Sequence, residues 1–193
     1  MSVAQPQEEF GRLAALATSR AAESLGSLLC DQIETKALNL YYLDSPERLL
    51  TRMRLPRRLI TITQSISGRE KGKISLAMAR DSAPVLAAAL VGRHGSHSRK
   101  LGGFDIDAFK ETANIVTGSY LALLGPALGL VGVPSIPAVV DGTLDEIALS
   151  LVPQSRALCV EAHLLAPSCN IELVVLMAAG RENGKFQAEE SAA

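Results

Sequence analysis

The sequence predicts an α+β fold: a tandem duplication of a helix-plus-β-strands unit, with two long helices packed on a β-sheet and pseudo-two-fold symmetry between the halves. Three observations predict it. The chain has 193 residues and 48 % of them are apolar, which is enough for one substantial core. Residues 99 positions apart match in kind: Phe10 with Phe109, Ala14 with Ala113, Thr18 with Thr117 and Leu25 with Leu124. In each half a long helical stripe is followed by short, alternating, β-branched runs. The expected organisation is a single domain over 1–193, with internal repeats at about 8–92 and 104–179 and a disordered tail at about 180–193.

The elements follow in order. The matched residues of each long helix lie on or near one helical face. After the first helix, "ALNLYYL" (37–43) reads as a strand and falls over "IPAVVDG" (136–142) at the same offset. Ser45-Pro46-Glu47 is a helix start, and "TLDE" (143–146) is a capping-box pattern at a similar place in the second half. "LITITQSIS" (59–67) and "KISLAMA" (73–79) read as a hairpin turning at "SGREKGK"; "LCVEAHLLA" (158–166) and "ELVVLMA" (172–178) are their counterparts. The first half adds a helix, "APVLAAALVG" (83–92), that leads into a linker at 93–103.

Composition excludes several classes. The net charge of −1 hides no large basic block, so nucleic-acid binding has no electrostatic footprint. No apolar run reaches the roughly 18 residues needed for a membrane span. "MSVAQPQEEF" has neither a basic n-region nor an apolar h-region, and Cys30, Cys159 and Cys169 are far from CxxC spacing. A cytoplasmic protein with reduced thiols is the expectation. His94 and His97 sit in the linker "GRHGSHSRK" and His163 in an apolar strand-like run, so no metal site is expected. Walker, GxSxG, HExxH and dinucleotide motifs are missing.

One row of residues calls for explanation. With Phe109 set at zero and roughly 100° per residue, Ala113, Val116, Tyr120 and Leu123 fall within about 40° and form the core stripe. Asp107, Glu111, Asn114 and Gly118 fall about 140–200° away and face solvent. An ordinary solvated face is one reading. Against it, a glycine in a helix interior costs about 1 kcal/mol relative to alanine, and a surface that another molecule approaches closely would give it a reason. Asp105 or Asp107 can cap the helix start. The first helix supplies the comparison: the same positions there are Glu8, Arg12, Ala15 and Ser19.

Asp107, Glu111, Asn114 and, after 22 intervening residues, Pro137 match the pattern (Asp/Ser)-x3-Glu-x2-Asn-x22-Pro. Four fixed positions match by chance on the order of once in 10⁵ starts. With "NIVTGSYLALL" and "PSIP", the chain resembles the CheC/CheX/FliY phosphatases of bacterial and archaeal chemotaxis over about residues 8–178. The resemblance implies a CheC-like fold. It also implies hydrolysis of the aspartyl phosphate on a CheY-like response regulator. Glu111 would contact the regulator's active-site lysine and Asn114 would hold the attacking water in line. Pro137 would shape the strand beneath the helix, and Asp107 would support the helix start or the contact surface. The regulator would bring its own Mg²⁺, so the chain needs no cofactor.

Those residue types suit the task. An acyl phosphate is already reactive, so placing one water is most of the catalysis. An amide can do so among anionic oxygens that would repel a carboxylate. Glutamate against lysine gives register through a charge-assisted hydrogen bond. The first helix departs from the pattern, with Arg12 for Glu, Ala15 for Asn and Leu38 where the proline would be, and should be catalytically dead. That degeneracy keeps open a non-catalytic alternative. Relatives in the flagellar switch keep the fold without the row, and some CheC proteins bind the deamidase CheD. A self-contained metallohydrolase is disfavoured because its ligands are missing.

Overall fold

The computed structural model describes residues 4–45, 47–52, 55–68, 70–92, 100–151 and 156–180. The elements in chain order are α1 (Ala4–Leu29), β1 (Glu34–Leu43), α2 (Glu47–Arg52), β2 (Arg58–Ile66), β3 (Lys71–Ala79), α3 (Ala83–Leu90), α4 (Gly103–Leu128), β4 (Ala138–Thr143), α5 (Leu144–Leu151), β5 (Ala157–Ala166) and β6 (Ile171–Gly180). Every strand and helix expected from the sequence is present, with ends displaced by a few residues. Three readings fall outside the described residues: Pro46 of the first short helix start, the linker histidines His94 and His97, and the tail beyond Gly180.

The six strands form one antiparallel sheet in the order β1-β5-β6-β3-β2-β4. Each half therefore lends its first strand to the other: β1 pairs with β5, and β4 pairs with β2. Successive side chains on a strand point to opposite faces. On β2 and β5 the even-numbered residues, such as Ile62 and Val160, lie in the core under α1, α3 and α4. The odd-numbered Leu59 and Cys159 pack instead with Leu49 of α2 and Ile147 and Leu151 of α5. Helices thus cover both faces, the long pair on one and the short pair on the other.

The long pair is held by small-against-large packing. Ala14, Ala17 and Ala21 of α1 and Phe109, Ala113, Val116 and Tyr120 of α4 are buried in one cluster. Full burial of Phe109 contributes about 1.5–3 kcal/mol, and truncating it to alanine would cost about 3–5 kcal/mol. The Tyr120 hydroxyl meets Thr18 Oγ1 at 2.9 Å across the helix pair, and Thr18 also donates to the Ala14 carbonyl at 2.8 Å. Burial pushes the Tyr120 phenol up to about 12. The buried face of α4 touches two neighbours, α1 and the sheet, so it is wider than a single stripe. It takes in Thr112, Thr117 and Leu124, and leaves Leu123 half-buried.

The capping box expected at Thr143 forms: the Thr143 N–H donates to Glu146 at 2.7 Å, and the Glu146 N–H reaches Thr143 Oγ1 at 3.4 Å. The constant 99-residue offset, in contrast, does not hold throughout. It relates the bounds of α1 to those of α4, and in side-chain direction it relates Ile74 on β3 to Leu173 on β6. In β2 and β5 it fails, because Ile62 points to the long helices whereas Glu161 points to the opposite face, beside Tyr41. The residue that shares the direction of Ile62 is Ala162. A slip of one residue moves every side chain of a strand to the other face.

Candidate functional site

The second long helix presents its outer row as the angular spacing requires. Asp107, Glu111, Asn114 and Gly118 are all exposed. The helix start is fixed by Asp105, whose carboxylate accepts from the Gly102 N–H at 2.8 Å and is itself buried. Asp107, two residues further on, is exposed and lies 3.6 Å from Lys110. A carboxylate in the third helical position can fold back over the orphan N–H groups, whereas one at position 107 is past them. At the other end, Gly129 in the left-handed region (φ 69°) stops α4 and lets the Leu130 N–H reach the Gly125 carbonyl at 2.8 Å.

Glu111 has no hydrogen-bond or ion-pair partner among the described residues, and its carboxylate faces outward. A Cβ added at Gly118 would meet nothing within 4 Å. The fold itself therefore does not require a glycine there.

Asn114 is exposed yet held. Its Oδ1 accepts from Gln64 Nε2 at 3.0 Å. Gln64 projects from β2 on the long-helix side and is only 3 % exposed. Its Nε2 also donates to the Ser135 carbonyl at 2.9 Å, and its Oε1 accepts from Thr117 Oγ1 at 2.7 Å. Sequence reading missed Gln64. The signal was there: in Ile60-x-Ile62-x-Gln64-x-Ile66 it occupies a place in the core-facing row, where a polar residue must find partners.

Through Ser135 the same network reaches the segment that ends at Pro137. The Ser135 N–H donates to the Ser65 carbonyl at 2.8 Å, the Ser65 N–H donates to Ser135 Oγ at 3.0 Å, and the Gly132 N–H donates to the Ser67 carbonyl at 2.7 Å. Pro137 is buried directly before β4, an edge strand, where a missing N–H is tolerated. Between these anchors Val133 and Ile136 are 85 % and 86 % exposed. Val133 and Ile136 are thus exposed apolar side chains on a segment that Gln64 ties to Asn114.

Two other features lie apart. A groove of about 900 Å³ runs along the outer face of α1, past Ala15, Ser19, Glu23, Cys30 and Asp31. On the opposite face of the sheet His163 lies between Glu161 and Glu172, at 2.8 Å from each, and Tyr41 donates to Glu161 at 2.5 Å. Burial lowers the His163 pKa, but the two carboxylates outweigh it and the net shift is upward. Among the described residues no group of three or more His, Cys, Asp or Glu is placed to hold a metal ion, and no helix is long and apolar enough to cross a membrane.

The fold has solved counterparts. FliY from Thermotoga maritima is similar at TM-score 0.66 and 15 % identity, over 91 % of this chain and 90 % of that one. A chain of the FliM–SpeE complex from H. pylori gives 0.65 at 13 %, over 93 % and 90 %. A chain of the CheX–CheY–BeF3–Mg²⁺ complex from Borrelia burgdorferi gives 0.58 at 17 %, over 86 % and 96 %. No protein-family model matches the chain, and no curated protein does. At these identities the likeness is one of fold: the chain has the fold of FliY, FliM and CheX, which is the fold that the resemblance at residues 107–137 implies.

Proposed function

We propose that the chain is a cytoplasmic response-regulator phosphatase that hydrolyses the aspartyl phosphate of a CheY-like protein at one site, the outer row of α4. The observation that carries this reading is the pairing of Glu111, exposed and without a partner among the described residues, with an Asn114 whose amide is held from behind by Gln64. Glu111 docks against a lysine of the regulator. Asn114 sets a water in line with phosphorus. The water oxygen bonds to phosphorus as the bond to the aspartyl oxygen breaks, the aspartate leaves as carboxylate, and the water's protons go to phosphate and solvent. Mg²⁺ stays with the regulator. Gly118 gives the partner room, and Val133 and Ile136 provide an apolar rim. The CheX–CheY complex among the structural counterparts supports the choice of partner.

Phosphate release from a phosphorylated CheY-type regulator tests the proposal. Catalytic amounts of the chain should accelerate it, and Asn114→Ala should lose at least about 10²-fold of the acceleration, comparable to removing one positioned catalytic donor. A second reading, a binding module for CheY-phosphate, CheD or the flagellar switch, draws on the degenerate α1 row and the likeness to FliM. It would be favoured by tight binding with an unchanged phosphate lifetime.

The architecture carries a proposal of its own: one domain that arose by tandem duplication of residues about 8–92 and 104–179. Its support is that α1 and α4 have the same length of 26 residues. The order β1-β5-β6-β3-β2-β4 also places corresponding strands at equal distances from the centre.

A further inference from the structure

We propose that Gln64 is the positioning residue for Asn114: it fixes which end of the Asn114 amide faces outward. The inference rests on the reading that Asn114 acts on a phosphoryl group, and it follows from donor and acceptor logic. The Ser135 carbonyl can only accept, so the end of Gln64 that faces it at 2.9 Å must be Nε2. That same nitrogen faces Asn114 at 3.0 Å, so the near atom of Asn114 must be Oδ1. The Thr117 hydroxyl completes the set by donating to Gln64 Oε1 at 2.7 Å. Gln64 then spends both of its N–H groups and cannot turn over without setting carbonyl against carbonyl.

The consequence for Asn114 is directional. One lone pair of Oδ1 is taken by Gln64. The second lone pair and both Nδ2–H donors remain for solvent, an attacking water and phosphoryl oxygens. Pre-setting that orientation in the free protein removes a reorganisation that would otherwise have to happen at each turnover.

Gln64→Met keeps the apolar volume and removes the amide. Gln64→Glu keeps the acceptor for Thr117 and removes both donors, so it serves as a second variant if the first folds poorly. With a phosphorylated CheY-type regulator as substrate, each should lower kcat about 10- to 10²-fold with KM within about twofold of wild type. Neither should add to the loss already caused by Asn114→Ala. A wild-type kcat in both variants, or an equal proportional loss on the Asn114→Ala background, would overturn the proposal. A second readout needs no regulator. The side-chain amide order parameter of Asn114 in the free protein should be that of a rigid group and should fall toward the mobile range, below about 0.6, in Gln64→Met. An unchanged order parameter would also overturn it. If the wild type releases no phosphate at all, the proposed activity fails while the order parameter still decides whether Gln64 orients Asn114.

Discussion

The two long helices are alike where they touch the core and unlike where they touch solvent. Both have 26 residues, and each buries a stripe against the same cluster. On the outside, α4 shows Asp107, Glu111, Asn114 and Gly118, and α1 shows Glu8, Arg12, Ala15 and Ser19, all exposed. The difference continues into the sheet. Gln64 pairs with Ile74 in the β2–β3 ladder, and Leu164 pairs with Leu173, 99 residues on, in the β5–β6 ladder. Where α4 has an asparagine and a buried glutamine beneath it, the corresponding places carry Ala15 and Leu164, a residue with no hydrogen-bonding side chain. The comparison teaches that the outer row of α4 is one half of a two-layer device, whose second layer is a strand residue.

Charge reversal at Glu111 should have the greatest consequence. Glu111→Arg gives α4 the residue that α1 carries at position 12 and sets like charge against the regulator's lysine. It should lower kcat/KM by about 10²-fold or more while leaving the melting temperature unchanged, because Glu111 has no partner among the described residues to lose. A variant that stays within about threefold of wild type would mean that the two rows differ without consequence.

A smaller effect concerns Gly118. Gly118→Ala should stabilise the chain by about 1 kcal/mol in denaturant unfolding, since the position is exposed, helical and open. Gly118→Leu should keep that gain and raise KM about tenfold, because the bulk points where the partner docks. A leucine variant with unaltered KM would show that the partner does not approach Gly118.

The smallest effect separates the site from the polar cluster on the other face. The folded pKa of His163 is raised because both ring nitrogens face carboxylates, against the opposing pull of burial. A raised folded pKa contributes stability in full below the ordinary histidine range, and that contribution is lost as pH rises through the folded value. As pH rises from the ordinary histidine range into the alkaline range, the wild-type melting temperature should therefore fall more than that of His163→Gln, with kcat the same in both. Parallel melting curves would show that the cluster is not coupled to folding.

The sequence carried most of the fold. Alternation in "LITITQSIS" and "KISLAMA", the apolar spacing from Phe109 to Tyr120 and the Thr143–Glu146 box each have a local physical cause, and each appears where local reasoning puts it. The outer row was legible for the same reason, since 100° per residue decides exposure. What was hidden is what depends on register. The literal offset set Gln64 against His163, yet these side chains leave opposite faces of the sheet, and only strand pairing reveals the slip. Gln64 lies 50 residues before Asn114 in sequence. No periodicity connects the two. Asp105 was open to sequence reasoning as a cap, but its choice over Asp107 depended on knowing that the helix starts at Gly103.

The proposed function stands or falls on Asn114, which from α4 aims the water that hydrolyses a regulator's aspartyl phosphate. The most direct measurement is the lifetime of the phosphoaspartate on a CheY-type protein, alone, with the wild-type chain and with Asn114→Ala, alongside the binding of both chains to the same regulator carrying BeF3. The wild type should shorten the lifetime, and Asn114→Ala should retain about 1 % or less of that acceleration, with the two chains binding alike. A variant that shortens the lifetime as well as the wild type does would contradict it.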